Sequence, residues 1–331
     1  MAEKRLIFFD YIKALSIIFV VITHTTVMPQ STNLFTYVFF INMAVPLFMI
    51  TIGYMYMMSS EKKNIDTISM WFSVKNLSQK FSRILIPYLY VVVIELLFIK
   101  LYAKNLNGSF GSFFKSFITG GYGPGSYYIF IMVQLNVFFP FMKKIFEKYK
   151  YGALILIILN IIFEMIITFL HIDPAIYRLC FARYIVFVVL GMELHREPEN
   201  VSVKKAFLFL PIGMFYMIDV TYLGYTPVIF TNWITTSFPT AFFAFGLLII
   251  LKFVFKDGIS KEIDYIFSLI GKASYHIYLV QMVYYFSGLG YIFSSYRGII
   301  INVLVCIIIG IVFYKTESLI KSKVRNKKIK L

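Results

Sequence analysis

Lys13 and His24 stand eleven positions apart in an otherwise apolar run, DYIKALSIIFVVITHTT, with Asp10 three residues before the lysine. A helix turns about 100° per residue, so eleven steps return to nearly the same face. Asp10 lies one helical step from that face. The three ionisable groups therefore make one stripe, and the rise from Lys13 to His24 is about 16 Å. Imidazole is suited to take and return a proton near neutral pH. The stripe has two readings. In one, Lys13 snorkels to an interface, paired with Asp10, and His24 is a packed or interfacial histidine. In the other, an ionisable stripe inside a bundle lines a substrate path, and the shared face of one helix favours it.

The elements that must carry this stripe are membrane helices. The chain has 331 residues, 60% of them hydrophobic and only 15% charged; a soluble domain is nearer 25% charged. The net charge of +16 would suggest nucleic acid as a partner of a soluble protein. Here the basic residues fall in short polar gaps between apolar runs, so topology accounts for them and no nucleic acid is expected. Cys180 and Cys306 both lie inside apolar runs and offer neither a disulfide framework nor metal spacing, so no metal is expected. Lys4 and Arg5 resemble a signal-peptide start, but Asp10 and Lys13 interrupt the apolar part and no small-residue cleavage site follows. A retained first span is expected.

About ten stretches are apolar enough to span, near 6–28, 35–58, 82–103, 125–142, 151–171, 176–195, 205–223, 231–255, 263–287 and 298–316. Basic residues mark alternate gaps: Lys62, Lys63, Lys75 and Lys80; Lys143, Lys144, Lys148 and Lys150; Arg196, Lys204 and Lys205; Lys252, Lys256 and Lys261; then the tail KSKVRNKKIK. The intervening turns, PQSTN and TYLGYTPVIFTN, carry no charge, and Lys100, Lys104 and Lys115 are the exception. This alternation predicts an all-α, polytopic integral membrane bundle of about ten transmembrane helices with cytoplasmic N- and C-termini. One domain spans 1–331, ending in a short basic cytoplasmic tail at about 317–331 that also suits anionic lipid.

Other polar groups fall within the apolar runs. Glu95, Glu164 and Arg183 are costly there unless paired or wet, and Arg183 could partner either glutamate. Tyr275 and Gln281 either line a cavity or bridge helices. Lys80 and Arg83, at the mouth of the third stretch, are explained by topology alone or by a role in binding an anion. GGYGPGSYY, Gly120 to Tyr128, fits a re-entrant turn or, as expected here, an outer loop rich in glycine.

The pattern of Asp10, Lys13 and His24 resembles the first span of the membrane-bound acyltransferase family 3 proteins, where a basic residue precedes a histidine by ten intervening positions. Further segments resemble that family in order: NMAVPLFMITIGYMY (Asn42 to Tyr56), KFSRILIPYLY with Lys80, Arg83 and Pro87, GSYYIFIMVQLNVFFPFM, YIVFVVLGMEL with Gly191, and LIGKASYHIYLVQ. Gln281 stands where the family commonly has a histidine, and Lys13 replaces the commoner arginine, which keeps charge but loses bidentate geometry.

The resemblance implies a membrane O-acyltransferase. Such an enzyme would move an acyl group, acetyl foremost, from cytoplasmic acyl-CoA to a hydroxyl of a cell-surface polysaccharide or lipid-linked glycan. It implies His24 as the catalytic base, with Lys13 and Asp10 completing the catalytic set, Asp10 by pairing with Lys13 or shaping the mouth. It implies Lys13, Lys80 and Arg83 as the clamp on the donor's phosphates, and it makes Glu95, Arg183, Tyr275 and Gln281 the candidates for substrate contact. An acyl-histidine intermediate is an open alternative. A transporter or exporter of a polysaccharide or its precursor is the competing class; carriers often show internal duplication, and none is evident here.

Overall fold

The computed structural model describes residues 7–25, 39–102, 114, 117–118, 120–197, 202–225, 230, 233–234, 236–292 and 296–329. The uncharged turn at 29–33, Lys104, Lys115 and half of the TYLGYTPVIFTN turn lie outside the described residues. Among the described residues the regular structure is entirely helical.

Twelve α-helices are described, in order: α1 Ile7–Thr23, α2 Ala44–Lys62, the short α3 Ile68–Trp71, α4 Val74–Tyr102, α5 Tyr127–Lys148, α6 Gly152–Phe169, the short α7 Pro174–Leu179, α8 Ile185–Arg196, α9 Val203–Tyr222, α10 Thr240–Phe255, α11 Lys261–Phe286 and α12 Tyr296–Ile329. Every apolar stretch named above carries a helix. Among the described residues, five helical segments are fit to cross a membrane by length and apolar composition: Ile41–Lys62, Val74–Leu101, Tyr127–Lys148, Gly152–Phe169 and Arg297–Lys323. The molecule is thus an all-helical, multi-pass membrane protein in class.

Two departures from expectation have local causes. The helix of the third apolar stretch, α4, begins at Val74, before the apolar run, because VKNLSQKFS continues the helical turn with a wet face. The sixth stretch is broken: α7 ends at Leu179, Cys180 is extended, and a 3-10 turn at Phe181–Tyr184 leads into α8. A break in an apolar medium leaves backbone groups that must be satisfied. Side-chain amides do this: Gln134 donates to the Leu179 carbonyl (2.6 Å) and accepts from the Phe181 N–H (3.2 Å), and Asn160 donates to the Ala182 carbonyl (2.7 Å).

The core is built on pairs: α1 packs on α11, α2 on α8, α9 on α10, and α11 on α12, while α1 also meets α2. The α2–α8 crossing is close because glycines face backbone. A Cβ at Gly53 would overlap the Val188 carbonyl oxygen, and one at Gly191 would overlap that of Ile50. Small residues permit such approach where no hydrophobic effect drives helices together in lipid. The other faces are apolar and exposed, as on α6 (Leu154, Ile158, Ile162, Met165) and α12 (Ile300, Leu304, Ile308), while Asn160 and Glu164 on α6 turn inward and are buried.

Candidate active site

α1 keeps its polar stripe turned inward. Lys13 and His24 line one cavity of about 400 Å³, walled by α1, α2, α4, α5 and α11. The wall also includes Thr23, Asn42, Met55, Tyr56, Arg83, Ile84, Gly125 and Thr236, and Gly125 stands beside His24. Ser274, Tyr275 and Tyr278 of α11 run along one side. Most of the remaining wall is aliphatic or aromatic: Ile17, Val20, Val45, Phe48 and Met132. The lining therefore carries two cations and an imidazole in a mostly apolar wall, with Lys13 and His24 set apart by the rise of α1.

Asp10 is buried behind Lys13 and pairs with it at 3.0 Å. Arg83 is exposed and reaches the cavity from α4. Lys80, one turn earlier, does not line the cavity. Its ammonium lies over the rings of Trp71 and Tyr56, 4.6 Å from the latter's centre. Asn136 holds both rings, its carbonyl accepting from the Trp71 indole (2.8 Å) and its side chain from the Tyr56 hydroxyl (3.1 Å). The Lys80 Nζ is buried and has no hydrogen-bond partner among the described residues, so cation–π attraction holds it there. Tyr56 also lines the cavity. Lys63, just past α2, donates to Asn76 (3.3 Å) and Gln79 (3.1 Å); burial and the neighbouring Arg83 hold its ammonium below the usual lysine range.

Of the substrate-contact candidates, Tyr275 lines the cavity and donates to the Ile84 carbonyl at 2.7 Å. Gln281 is buried outside the lining and donates to the Pro124 carbonyl at 3.4 Å. Glu95 is fully buried, also outside the lining, and accepts from the backbone N–H groups of Tyr122 and Gly123, each at 3.2 Å. Arg183 lies behind the lining: it donates to Thr236 Oγ1 (3.1 Å) and stacks over Tyr177 and Tyr184. Between the glutamates left open as its partner, Arg183 keeps company with Glu164, because the Tyr177 hydroxyl bonds both Glu164 oxygens (3.0 and 2.8 Å).

The glycine-rich stretch after Gly120 is packed against the helices rather than free. It packs between α4 and α11, and Gly125 reaches the His24 side of the cavity. The reason is the glycines themselves, since Gly120, Gly121 and Gly125 have φ of +109°, +107° and +84°, which other residues rarely adopt.

Sequence reasoning also missed Thr236, Ser274 and Tyr278. Ser274 and Tyr278, one helical turn apart and flanking Tyr275, share its face, and that spacing is a usable signal. Thr236 sits in a short turn with no periodicity to mark it. Nor was the buried His276–Glu317 pair foreseen (2.8 Å), which Lys321 extends (2.7 Å) and which ties α11 to α12 away from the cavity.

A family model described as an acyltransferase domain matches residues 6–315, nearly the whole chain and every element that borders the cavity. No curated protein and no solved structure matches the chain.

Proposed function

The chain belongs to the acyltransferase family 3 membrane proteins, and on that premise we propose that it moves an acyl group, acetyl foremost, from cytoplasmic acyl-CoA to a hydroxyl of a cell-surface polysaccharide or lipid-linked glycan. The observation that carries this reading is that Lys13, Arg83 and His24 line the same cavity. The phosphates of CoA are met by Lys13 and Arg83, with the caged Lys80 adding charge from behind Tyr56. The pantetheine arm lies along the apolar passage, whose length matches the rise of about 16 Å between Lys13 and His24. The thioester then reaches the imidazole.

His24 acts as general base. As the acceptor oxygen bonds to the thioester carbonyl carbon, its proton passes to the imidazole. The carbon–sulfur bond breaks, and the imidazolium returns the proton to the departing thiolate. A positioned base of this kind supplies about 10²–10⁴-fold in rate. Thr236, Ser274 and Tyr278 give hydroxyls along the wall that suit a polar acceptor.

The test is labelled acyl-CoA supplied to the purified protein with candidate glycans, in wild type, His24→Ala and His24→Gln. Both variants should bind donor and lose transfer by about 10²-fold or more. Near-normal transfer by either one removes His24 from the chemistry.

A further inference from the structure

Glu95 is a carboxylate placed deep in a helix that is otherwise apolar around it, and neither oxygen reaches the cavity. A group so costly to bury needs a use. Its two oxygens accept from the successive N–H groups of Tyr122 and Gly123. The loop is wedged against it: a Cβ on Gly121 would lie 2.9 Å from Glu95 Oε2, and one on Gly123 would lie 2.6 Å from Met282 Cβ. Two residues further on, α11 takes hold. The Tyr278 hydroxyl donates to the Gly125 carbonyl at 2.8 Å, and the Gln281 amide donates to that of Pro124.

The clamped segment ends against His24. A Cβ on Gly125 would stand 3.5 Å from His24 Nε2, so the bare backbone of Gly125 is the surface facing the ring. On the other side Tyr285 lies 6.0 Å from the imidazole, ring centre to ring centre, and its hydroxyl donates to the Val21 carbonyl (3.2 Å), gripping the end of α1. His24 follows the last residue of α1 and is not held by helical packing alone.

We propose that Glu95 is a positioning residue: through its two backbone bonds it sets the Gly120–Gly125 segment so that Gly125 fixes where the His24 imidazole stands. This rests on the reading of His24 as the base. It assigns Gln281, which occupies the position of a common family histidine, to holding the same segment. A residue that merely satisfied a buried loop would, on removal, weaken the whole fold and both ends of the cavity together. A positioning residue acts at the His24 end and leaves the cationic end alone.

The experiment uses the full chain in lipid nanodiscs, with Glu95→Gln, Glu95→Ala and Gly125→Ala. One readout is independent of activity: the rate at which diethyl pyrocarbonate modifies His24, followed by mass spectrometry against the exposed His171 in the same sample. The other is kcat for transfer beside the Kd for acyl-CoA. Glu95→Gln, which keeps one acceptor oxygen of two, should change His24 modification about 3-fold and lower kcat about 10-fold, within the range that a 1 Å misplacement of a catalytic group produces. Glu95→Ala should go further, to about 10²-fold in kcat. Donor Kd and His171 modification should stay at wild-type values. If Glu95→Ala fails to fold, Glu95→Gln and Gly125→Ala decide the matter. Unchanged His24 modification in Glu95→Gln overturns the proposal, as does loss of donor binding in proportion to kcat. Should the wild type transfer nothing to any acceptor, the function reading fails, and the modification rates still decide the positioning claim.

Discussion

Among the described residues, Arg83 and Lys13 hold the charge on the cavity lining, and their surroundings give them different duties. Lys13 is already paired with Asp10 at 3.0 Å, so part of its field is spent before any ligand arrives. Arg83 is exposed, and its planar guanidinium can grip a phosphate through two parallel bonds. Arg83→Ala should therefore weaken acyl-CoA binding by about 10-fold or more, the loss expected of one charge-assisted hydrogen bond. Arg83→Lys should fall between, keeping charge and losing the fork. Lys256→Ala, an exposed control away from the cavity, should change the Kd little. Isothermal titration at low and at raised salt separates these cases, and equal effects of Arg83→Ala and Lys256→Ala would remove the clamp.

Helix crossings set what those side chains can reach, and the α2–α8 contact is the most demanding. Gly53 and Gly191 each meet a carbonyl oxygen of the other helix where a methyl group would sit. Gly191→Ala must push α8 from α2, and overpacking of this kind costs about 1–3 kcal/mol. The melting temperature in detergent should fall by several degrees, whereas Leu154→Ala, on the exposed face of α6, should move it little; a Gly191→Ala protein as stable as wild type would show that the crossing has slack. Such contacts also mark where sequence is legible. Lys13 and His24 could be placed together because one helix carries both and its period is fixed. Tyr275 could be nominated because polar side chains within an apolar run need a use. The roles of Glu95 and Gln281 could not be read, because each depends on a backbone segment far away in sequence. The packing of the glycine stretch could not be read for the same reason. Its composition announces turns, but composition does not say whether a turn faces solvent or is wedged between helices by a carboxylate 27 residues earlier.

For the whole molecule, the charge pattern and the cavity lead to one spatial claim. The basic gaps after α2, α5, α8 and α10, with the basic tail, predict ten spans and both termini in the cytoplasm. Under that topology α1 enters from the cytoplasm, so Lys13 and Arg83 lie toward the donor and His24 toward the opposite face. A donor with charged phosphates cannot cross the apolar passage cheaply, whereas its uncharged pantetheine arm can lie in it. The acyl group is then handed over nearer the far side than the side from which it came. Reporter fusions at Leu34 and Thr226 should score outside, and one just after Lys63 should score inside. In sealed vesicles, labelled acyl-CoA should support transfer when added to inside-out preparations, and right-side-out preparations should stay silent until permeabilised. The expected difference is large, because the donor is impermeant. A cytoplasmic score at Thr226 would break the map of spans, and equal transfer from both vesicle orientations would place the cationic mouth on neither side exclusively and undo the directional reading of the cavity.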